Sequence, residues 1–243
     1  LFISLGCDKN LADSEEMLGL LTGNGHEIVD SEEEADAIVI NTCCFIHDAK
    51  EESVNTILEM AEYKKTGTCK ILIVTGCMAQ RYKEEITEEI PEVDAVLGTT
   101  SYGDIVKALN EAEAGHVFRE FKDINALPED SGRRVITTGG HFGYLKIAEG
   151  CDKHCTYCII PSLRGKFRSV PEERLLKQAE YMASQGVREL ILVAQETTVY
   201  GTDLYGKKTL HILLKKLCQI KGIRWIRVLY CYPEEIYDEL IQV

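Results

Sequence analysis

Short apolar runs alternate with charged amphipathic stretches along the first half of the chain. Four runs have the length and composition of buried strands: LFISLG, ADAIVINT, KILIVTG and VDAVLG. The stretches between them have the apolar spacing of helices, in DSEEMLGLLTGNG, DAKEESVNTILEMAEYKK and AQRYKEEITEEI. Strands that are apolar almost throughout are expected in a parallel sheet covered by helices on both faces. The pattern therefore predicts the α/β fold class, with an N-terminal doubly wound parallel-sheet domain over residues 1–112.

The alternation weakens over residues 113–140, which are mostly polar and contain one Pro and several Gly, so we expect a linker there. Strand-like runs and helical stretches then alternate again, in the order FGYLKIAEG, VPEERLLKQAEYMASQG, ELILVAQE, TLHILLKKLCQIKG and IRWIRVLY. Strand–helix units in series predict a parallel (β/α) barrel over residues 141–243. Because the chain starts without Met and stops inside the helical stretch PEEIYDELIQV, we expect cut ends and a partial barrel.

The composition is that of a globular protein without a membrane anchor. Hydrophobic residues make up 45% of the chain. No apolar run approaches the roughly 20 residues of a membrane span. The first residues, LFISLGCDKN, lack the charged and apolar regions of a signal peptide. We therefore expect a cytoplasmic protein, in which the 10 cysteines stay reduced and serve metal or redox sites rather than disulfides.

The charge is distributed unevenly. Residues 1–132 contain 10 Lys and Arg against 28 Asp and Glu, a net charge of −18, whereas residues 133–243 carry +5. An acidic half disfavours binding to a phosphate backbone and attracts a basic partner. The alternative is that these carboxylates only form the solvated helix faces of an acidic protein.

Three cysteines lie within eight residues in GCDKHCTYCIIPS, directly after a predicted strand. Cys151, Cys155 and Cys158 have the spacing C-x3-C-x2-C. A closed structural zinc site has four protein ligands, so three thiols indicate a metal centre with one position open. Thiolates are also the ligands of iron–sulfur clusters. A zinc site and a redox dithiol at the C-x-x-C pair are the alternatives.

Three further cysteines each follow a predicted strand of the first domain. These are Cys7 in SLGCDKN, Cys43 in INTCCF and Cys77 in VTGCMAQ. The carboxyl ends of parallel strands line one edge of a sheet, where ligands bind, so we expect these thiols to converge on a second metal centre. The remaining cysteines are expected to be small buried hydrophobic residues: Cys44, Cys69, Cys218 and Cys231.

The loop of Cys151, Cys155 and Cys158 resembles the signature of radical S-adenosylmethionine enzymes. The segments SLGCDKNLADSEEMLGLL, NTCCFIHDAKEES, TGCMAQRY and YLKIAEGCDKHCTYCIIPSLRGKFRS are similar to the methylthiotransferase family. The motif GCDKN followed by DSE, together with AQETTVYG, resembles the branch that acts on an aspartate of a ribosomal small-subunit protein. The resemblance implies two [4Fe–4S] clusters, one on each cysteine triplet, with S-adenosylmethionine at the open iron of the cluster on Cys151, Cys155 and Cys158.

The activity implied by this resemblance is methylthiolation of an aspartate β-carbon. A 5′-deoxyadenosyl radical would remove hydrogen from that carbon, and the cluster on Cys7, Cys43 and Cys77 would deliver a sulfur methylated by a second S-adenosylmethionine. No catalytic acid–base pair is required. The partners would be a basic ribosomal protein, an electron donor and a sulfur donor. A tRNA methylthiotransferase and a non-catalytic iron–sulfur-binding fragment are the alternative functions.

Further residues are candidates for holding S-adenosylmethionine. The resemblance places Tyr157 near the adenine. Gln195 and Glu196 end the predicted strand ELILVAQE at the active face of the barrel, where Glu196 is a candidate partner for the cofactor's ammonium group. Arg164 and Arg168 are candidates for the cofactor carboxylate or the substrate.

Overall fold

The structure is a computed structural model that describes residues 1–129 and 131–243, and its internal contacts divide it into two units. The first unit contains Leu1–Val135 and also Tyr157–Arg164. The second unit contains Ile136–Thr156 and Gly165–Val243. The boundaries at residues 112/113 and 140/141 remain predictions from the sequence. Within the described residues, no helix combines the length and apolarity needed to cross a bilayer.

Among its described residues, the first unit contains five strands and six helices. Its strands are β1 (Phe2–Ser4), β2 (Ala37–Thr42), β3 (Ile71–Gly76), β4 (Ala95–Leu97) and β5 (Phe118–Glu120). Its helices are α1 (Asp8–Gly23), α2 (His47–Thr66), α3 (Cys77–Tyr82), α4 (Glu84–Glu89), α5 (Ile105–Glu113) and α6 (Ile160–Arg164), with a 3-10 turn at Tyr102–Asp104.

The strands of the first unit form one parallel sheet in the order β1-β2-β3-β4-β5. Alternate residues of each strand face opposite sides. Ile40 and Val74 pack in the core under α2, α3 and α4, whereas Val39 and Ile73 pack in the core under α1 and α5. Helices therefore cover both faces of the sheet, and the predicted doubly wound parallel sheet is confirmed.

Three elements of the first unit differ from the sequence pattern. Helix α1 begins at Asp8, five residues before the predicted stretch, because Cys7 already has the extended backbone of a helix N-cap. The predicted helix AQRYKEEITEEI is wrong as a single element: Lys83, at φ 44°, separates α3 from α4. Strand β5 lies inside the polar residues 113–140 and pairs with β4, a pairing that local polarity does not indicate.

The second unit contains a parallel sheet of the order β10-β9-β6. Its strands are β6 (Phe142–Lys146), β7 (Ala148–Glu149), β8 (Arg168–Ser169), β9 (Glu189–Val193) and β10 (Trp225–Val228), where β7 and β8 form a separate antiparallel pair. Its helices are α7 (Glu172–Ser184), α8 (Thr202–Tyr205), α9 (Leu210–Leu217) and α10 (Asp238–Ile241), with a 3-10 turn at Pro233–Glu235. The predicted strand–helix series is present.

The last residues of the first unit's long segment lie along α1. Val135 N–H donates to Glu15 O at 3.0 Å, and the Arg134 guanidinium pairs with the Glu15 carboxylate at 2.6 Å. The backbone passes so close to the helix that a Cβ on Gly19 would lie 2.6 Å from Arg133 C and 2.7 Å from Arg134 N. A residue without a Cβ is therefore required at position 19, because the backbone of Arg133 and Arg134 cannot move aside as a side chain can.

We expect Gly19→Ala to destabilise α1 by about 1–3 kcal/mol, because the added methyl group overlaps backbone. Gly23→Ala on the same helix is the matched control, since its Cβ would meet only the flexible side chain of Arg133. That control is expected to lie between neutral and about 1 kcal/mol stabilising, from helix propensity. Native-state hydrogen exchange of the α1 amides measures both. Equal effects of the two substitutions would contradict the requirement for space.

Candidate functional site

Three cysteines of the first unit lie at the carboxyl ends of three neighbouring strands. Cys7 follows β1 and is the N-cap residue of α1, Cys43 follows β2 directly, and Cys77 follows β3 as the first residue of α3. Because β1, β2 and β3 are adjacent and parallel, their carboxyl ends share one edge. The structure thus brings together the residues that the sequence separates by 34 to 70 positions.

The backbone before two of these cysteines is fitted closely to its surroundings. A Cβ on Gly6 would lie 2.7 Å from Cys43 Cβ and 3.2 Å from Cys43 Sγ, so the Cys43 side chain lies against the turn that carries Cys7. Gly76 has φ 93°, and a Cβ there would overlap Asn41 Oδ1 and lie 2.5 Å from Thr42 O. Glycine at both positions lets the three turns approach one another.

The carboxamide of Asn10 joins the three turns. Its Nδ2 donates to Leu5 O at 3.1 Å and to Thr42 O at 3.0 Å, which are the ends of the first two strand segments. Its Oδ1 accepts a hydrogen bond from the Cys77 thiol, with Sγ 3.9 Å away. Asn10 is 0% exposed. One buried side chain therefore hydrogen-bonds the backbone just before Cys7 and Cys43 and the thiol of Cys77.

A buried arginine lies beside this carboxamide. Arg164 in α6 donates from Nη2 to Asn10 Oδ1 at 2.5 Å and from Nη1 to Asp13 Oδ2 at 2.8 Å. Burial raises the pKa of the Cys77 thiol, whereas the charge of Arg164 and its hydrogen bond to Cys77 lower it. Cys7 and Cys43 are close enough to Cys77 to raise that pKa as well. Arg164 was a candidate for cofactor or substrate binding, but the structure pairs it with Asp13.

The backbone of Cys43 is held by α2. Ser53 Oγ accepts from Cys43 N–H at 3.1 Å and donates to Cys43 O at 2.8 Å. The neighbouring Cys44 is buried in the core on the α2 side of the sheet, where burial raises the pKa of its thiol to about 11. Cys69 is buried in the same core. The expectation of a small buried hydrophobic residue is met at these two positions.

The same expectation is wrong for Cys218 and Cys231, which are both exposed. Cys218 follows the last residue of α9, and Cys231 lies in the loop after β10, where its Sγ is 3.4 Å from Thr197 Oγ1. Sequence spacing does not distinguish a helix end from a buried helix face at Cys218, because the residues beside it are apolar and polar in turn.

The donor set at this edge has the residue types of an iron–sulfur centre. Over the described residues, no group of three His, Cys, Asp or Glu side chains is arranged to hold one metal ion. The three cysteines nevertheless follow strand ends that Asn10 joins, through Leu5 O, Thr42 O and the Cys77 thiol. Three cysteines and an adjacent cation are the chemistry expected for an iron–sulfur centre.

The second cysteine triplet begins in the second unit. Cys151 is buried, and its N–H donates to Gly165 O at 3.1 Å. The preceding Gly150 has φ 75°, and a Cβ there would overlap Lys166 O. Asp152 accepts from Phe167 N–H at 3.0 Å, and Cys155 is half-buried. The start of the loop is therefore fastened through its backbone, with the thiol groups left free of disulfides.

The last cysteine of this triplet lies in a segment that belongs to the first unit. Cys158 is half-buried and, with Tyr157, belongs to the segment counted in the first unit. Tyr157 is 84% exposed. The assignment of Tyr157 to the adenine, and of Cys151, Cys155 and Cys158 to a cluster, remains a prediction from the motif.

Lys153 fixes the tip of the cysteine loop by its side chain. Its Nζ lies 3.1 Å from Glu235 Oε1 and 3.7 Å from both Glu196 Oε2 and Glu234 Oε1. The ammonium group also lies 4.2 Å from the ring centroid of Tyr232. Three carboxylates and a ring face around one partly buried cation hold the loop near the end of β9.

Two buried polar atoms follow β9. Within the part of the chain that the structure describes, Gln195 Oε1 and Glu196 Oε2 are buried without a hydrogen-bond partner. The other carboxylate oxygen of Glu196 accepts from Thr198 N–H at 3.0 Å and from the Thr198 hydroxyl. A buried acceptor without a donor is costly, so such atoms indicate that a ligand supplies the donor. The pair fits a ligand with an ammonium or N–H group, such as S-adenosylmethionine.

Several residues of the site were not assigned from the sequence. Asn10, Asp13 and Ser53 lie on helices, and their spacing is that of ordinary polar helix positions. Lys153 lies inside the cysteine motif, but nothing local indicates which carboxylates surround it. The signal available in the sequence for Asn10 was a carboxamide three positions after Cys7, at the start of a helix.

Two family models match parts of the chain. Residues 1–98 match the model described as uncharacterized protein family UPF0004, and residues 145–243 match the radical SAM superfamily. The chain is also similar to curated proteins named ribosomal protein uS12 methylthiotransferase RimO. It is 66% identical over 242 residues to the protein of Lachnoclostridium phytofermentans, covering 100% of this chain and 55% of the relative.

Other curated relatives of the same name give a similar result. Identity is 54% over 242 residues with the protein of Clostridium botulinum and 53% over 240 residues with that of Clostridioides difficile, each covering 99% of this chain and 54% of the relative. The chain therefore spans about half the length of the curated relatives it matches.

Solved structures with a similar fold are radical S-adenosylmethionine enzymes. The methyltransferase TsrM from Kitasatospora setae, solved with tryptophan and a S-adenosylmethionine analogue, has a TM-score of 0.59 at 12% identity and covers 95% of this chain and 53% of TsrM. The cobalamin-dependent radical enzyme OxsB has a TM-score of 0.52 at 15% identity, covering 92% of this chain and 37% of OxsB. This likeness concerns the fold alone, and it confirms the predicted combination of a doubly wound domain and a radical-SAM barrel.

We expect Gly76→Ala to destabilise the edge that carries the first three cysteines. The substitution adds a cost of about 1–3 kcal/mol for a backbone conformation at positive φ and extended ψ, and an overlap cost of about 1–3 kcal/mol. Gly25→Ala is the matched control, because Gly25 has φ 90° but no atom within 4 Å of the added methyl group. Hydrogen exchange of the β3 amides, and of the amides around Gly25 for the control, gives the free energies. If both variants lose the same amount, crowding at Gly76 is disproved.

Proposed function

We propose that the chain is a radical-SAM methylthiotransferase and that it methylthiolates an aspartate β-carbon of ribosomal protein uS12. The observation that carries this proposal is the 66% identity, over the full length of this chain, to a protein named for that activity. The motifs GCDKN, DSE and AQETTVYG support the same branch. Membership of the radical SAM superfamily implies S-adenosylmethionine and a [4Fe–4S] cluster.

The six cysteines would hold two clusters. We assign Cys151, Cys155 and Cys158 to the cluster that binds S-adenosylmethionine, on the spacing of the loop, and Cys7, Cys43 and Cys77 to the second, on their convergence around Asn10. When bound, these groups supply one-electron chemistry able to remove hydrogen from an unactivated carbon, which no side-chain base achieves at neutral pH. Three ligands on each triplet leave room at each centre for a ligand that is not protein.

The residues around β9 would orient the methionine end of the cofactor. Gln195 Oε1 and Glu196 Oε2 each offer a buried acceptor, so an ammonium group bound there gains charge-assisted hydrogen bonds without displacing a protein donor. The Lys153 ammonium lies 3.7 Å from Glu196 Oε2, which is an ion pair too long for a hydrogen bond, so this oxygen keeps its acceptor position for a ligand. Tyr157, exposed in the loop, is available to cover the adenine.

The thiols of the first unit differ in their access. Cys7 is exposed, Cys77 is half-buried and Cys43 is buried. Phe45 and Ile46, which follow Cys43 and Cys44, are 47% and 56% exposed. A cluster held there would have its buried side at Cys43 and its exposed side at Cys7, where solvent and a sulfur donor could reach it. That arrangement suits a centre that must take up and release sulfur.

The charge of the chain favours a protein substrate. A net charge of −18 over residues 1–132 repels a phosphate backbone and attracts a basic ribosomal protein. A tRNA methylthiotransferase is the alternative within the same family, and an iron–sulfur-binding segment without activity is the alternative outside it. The proposed partners are therefore uS12, an electron donor and a sulfur donor, acting in the cytoplasm.

We expect about eight irons per chain after anaerobic reconstitution, and about four in the variant Cys151→Ala/Cys155→Ala/Cys158→Ala. S-adenosylmethionine should alter the electron paramagnetic resonance spectrum of the parent but not that of this variant. The complementary variant Cys7→Ala/Cys43→Ala/Cys77→Ala should also keep about four irons and should retain the response to S-adenosylmethionine. Cys69→Ala is the control for loss of a thiol outside the two triplets.

A different iron count would change the proposal. About four irons in the parent, all lost with the second triplet, would remove the sulfur-delivery centre. Zinc in place of iron would remove the radical chemistry as well.

The reconstituted chain, supplied with a chemical reductant, sulfide and S-adenosylmethionine, is expected to add a methylthio group to an aspartate of uS12. Mass spectrometry of the digested uS12 locates the group, and the release of 5′-deoxyadenosine reports cofactor cleavage separately. Modification of tRNA with no change in uS12 would favour the alternative substrate. Iron-loaded chain that releases no 5′-deoxyadenosine would favour the non-catalytic alternative.

A further inference from the structure

Arg164 comes from the sequence that follows the second cysteine triplet, yet it is buried beside the first. It is 3% exposed, and its segment Tyr157–Arg164 belongs to the first unit. Its guanidinium pairs with Asp13 of α1 at 2.8 Å. A buried charge is stabilised by a partner of opposite sign, and Asp13 provides it. This pair alone explains how Arg164 is tolerated in the interior, but it does not explain its second contact.

The second contact is directed at a proposed cluster ligand. Nη2 of Arg164 lies 2.5 Å from Asn10 Oδ1, the same oxygen that accepts from the Cys77 thiol. The guanidinium also hydrogen-bonds Cys77 itself. Arg164 therefore has one nitrogen on the carboxylate that neutralises it and another beside the oxygen and sulfur at the carboxyl end of β3.

A cation in this place has a specific electrostatic effect on a bound cluster. Hydrogen bonds to the ligating sulfurs and nearby positive charge stabilise the reduced, more negative state of an iron–sulfur cluster, and so raise its reduction potential. The effect is large in the interior, because the low local dielectric screens charge weakly. The side chains involved are buried, as Asn10 is 0% and Asp13 is 3% exposed.

A second buried arginine that pairs with a carboxylate of α1 provides a comparison. Arg134 pairs with Glu15 at 2.6 Å, and the side chains of this pair are 6% and 0% exposed. Asp13 is three positions after Asn10 on α1 and shares its side of the helix, whereas Glu15 is two positions after Asp13 and faces elsewhere. The two pairs thus have similar burial and similar charge, and the guanidinium of Arg164 contacts Asn10 and Cys77 in addition.

We propose that Arg164 is a positioning residue for the cluster on Cys7, Cys43 and Cys77: it fixes Asn10 and Cys77, and its charge raises the reduction potential of that cluster. This inference rests on the proposed function, since it requires the second cluster. It assigns to the segment after Cys158 a role in the chemistry of the first unit, in place of the role in cofactor or substrate binding that the motif suggested.

The test uses the full chain with Cys151→Ala/Cys155→Ala/Cys158→Ala, so that every iron signal comes from the first unit. Redox titration followed by electron paramagnetic resonance gives the ratio of reduced to oxidised cluster at one applied potential. Arg164→Gln is expected to lower this ratio at least tenfold, a shift of about 59 mV for a one-electron couple. Arg164→Lys keeps the charge and should stay within threefold of the parent, as should the matched control Arg134→Gln.

A charge-balanced variant is the control for loss of folding. Arg164→Gln leaves the Asp13 carboxylate buried without its partner, whereas Asp13→Asn/Arg164→Gln removes both charges. If the single variant holds no iron, the double variant is used for the test. The inference then requires that the double variant bind the cluster and show a lower ratio of reduced to oxidised cluster than the parent.

The outcomes separate this inference from the proposed function. Iron in the first unit with the same ratio in Arg164→Gln and Arg134→Gln overturns the role of Arg164 and leaves the two-cluster proposal standing. A ratio of reduced to oxidised cluster in the double variant equal to that of the parent also overturns the role of Arg164. No iron in the background variant overturns both. A lowered ratio in Arg164→Gln, restored by Arg164→Lys, supports the inference, because a purely structural role would not follow the charge.

Discussion

The buried carboxamide of Asn10 is the constraint on which the first unit's site depends. Its amide nitrogen bonds the carbonyl oxygens of Leu5 and Thr42, and its oxygen faces Cys77 and Arg164. Three strands can place their carboxyl ends at one edge without bringing three thiols to a common point. A fully satisfied polar side chain in the interior selects one arrangement of those ends, because any displacement leaves a buried donor or acceptor unpaired. The close approach of Gly6 to Cys43, and of Gly76 to Thr42, is possible only within that arrangement.

Both cysteine triplets are supported by buried or partly buried ion pairs outside the thiols themselves. In the first unit the support is the Arg164–Asp13 pair, and in the second it is Lys153 among the carboxylates that end β9 and follow β10. Buried pairs of this kind contribute little net stability, since desolvation offsets their attraction. They fix geometry instead, and they hold the loops that carry the two cysteine triplets in place without using the thiols. Polar residues near the cysteines therefore have a role in both units that packing alone does not supply.

Elements with a strong local signal were predicted correctly, and those that depend on distant partners were not. Apolar strands such as β2 and β3 and the long amphipathic α2 follow from periodicity. Strand β5 is polar enough to resemble a linker, and it is a strand because β4 presents an edge for it. The division of the helix at Lys83 requires a positive φ that helix propensity does not reveal. Exposure of Cys218 and Cys231 likewise depends on where α9 and β10 end.

The sequence by itself determined two sets of three thiols, a spacing specific enough to indicate the radical-SAM loop, and strand positions that predict Cys7, Cys43 and Cys77 at one edge of a parallel sheet. These features follow from residue type and local periodicity, which are properties of short segments. Only the tertiary structure decided which polar residues complete the sites. Asn10 and Arg164 are 154 positions apart, and Lys153 finds Glu235 across 82 positions. No local pattern encodes such a pairing, because its energy arises from burial of both partners together, and burial exists only once the chain has folded.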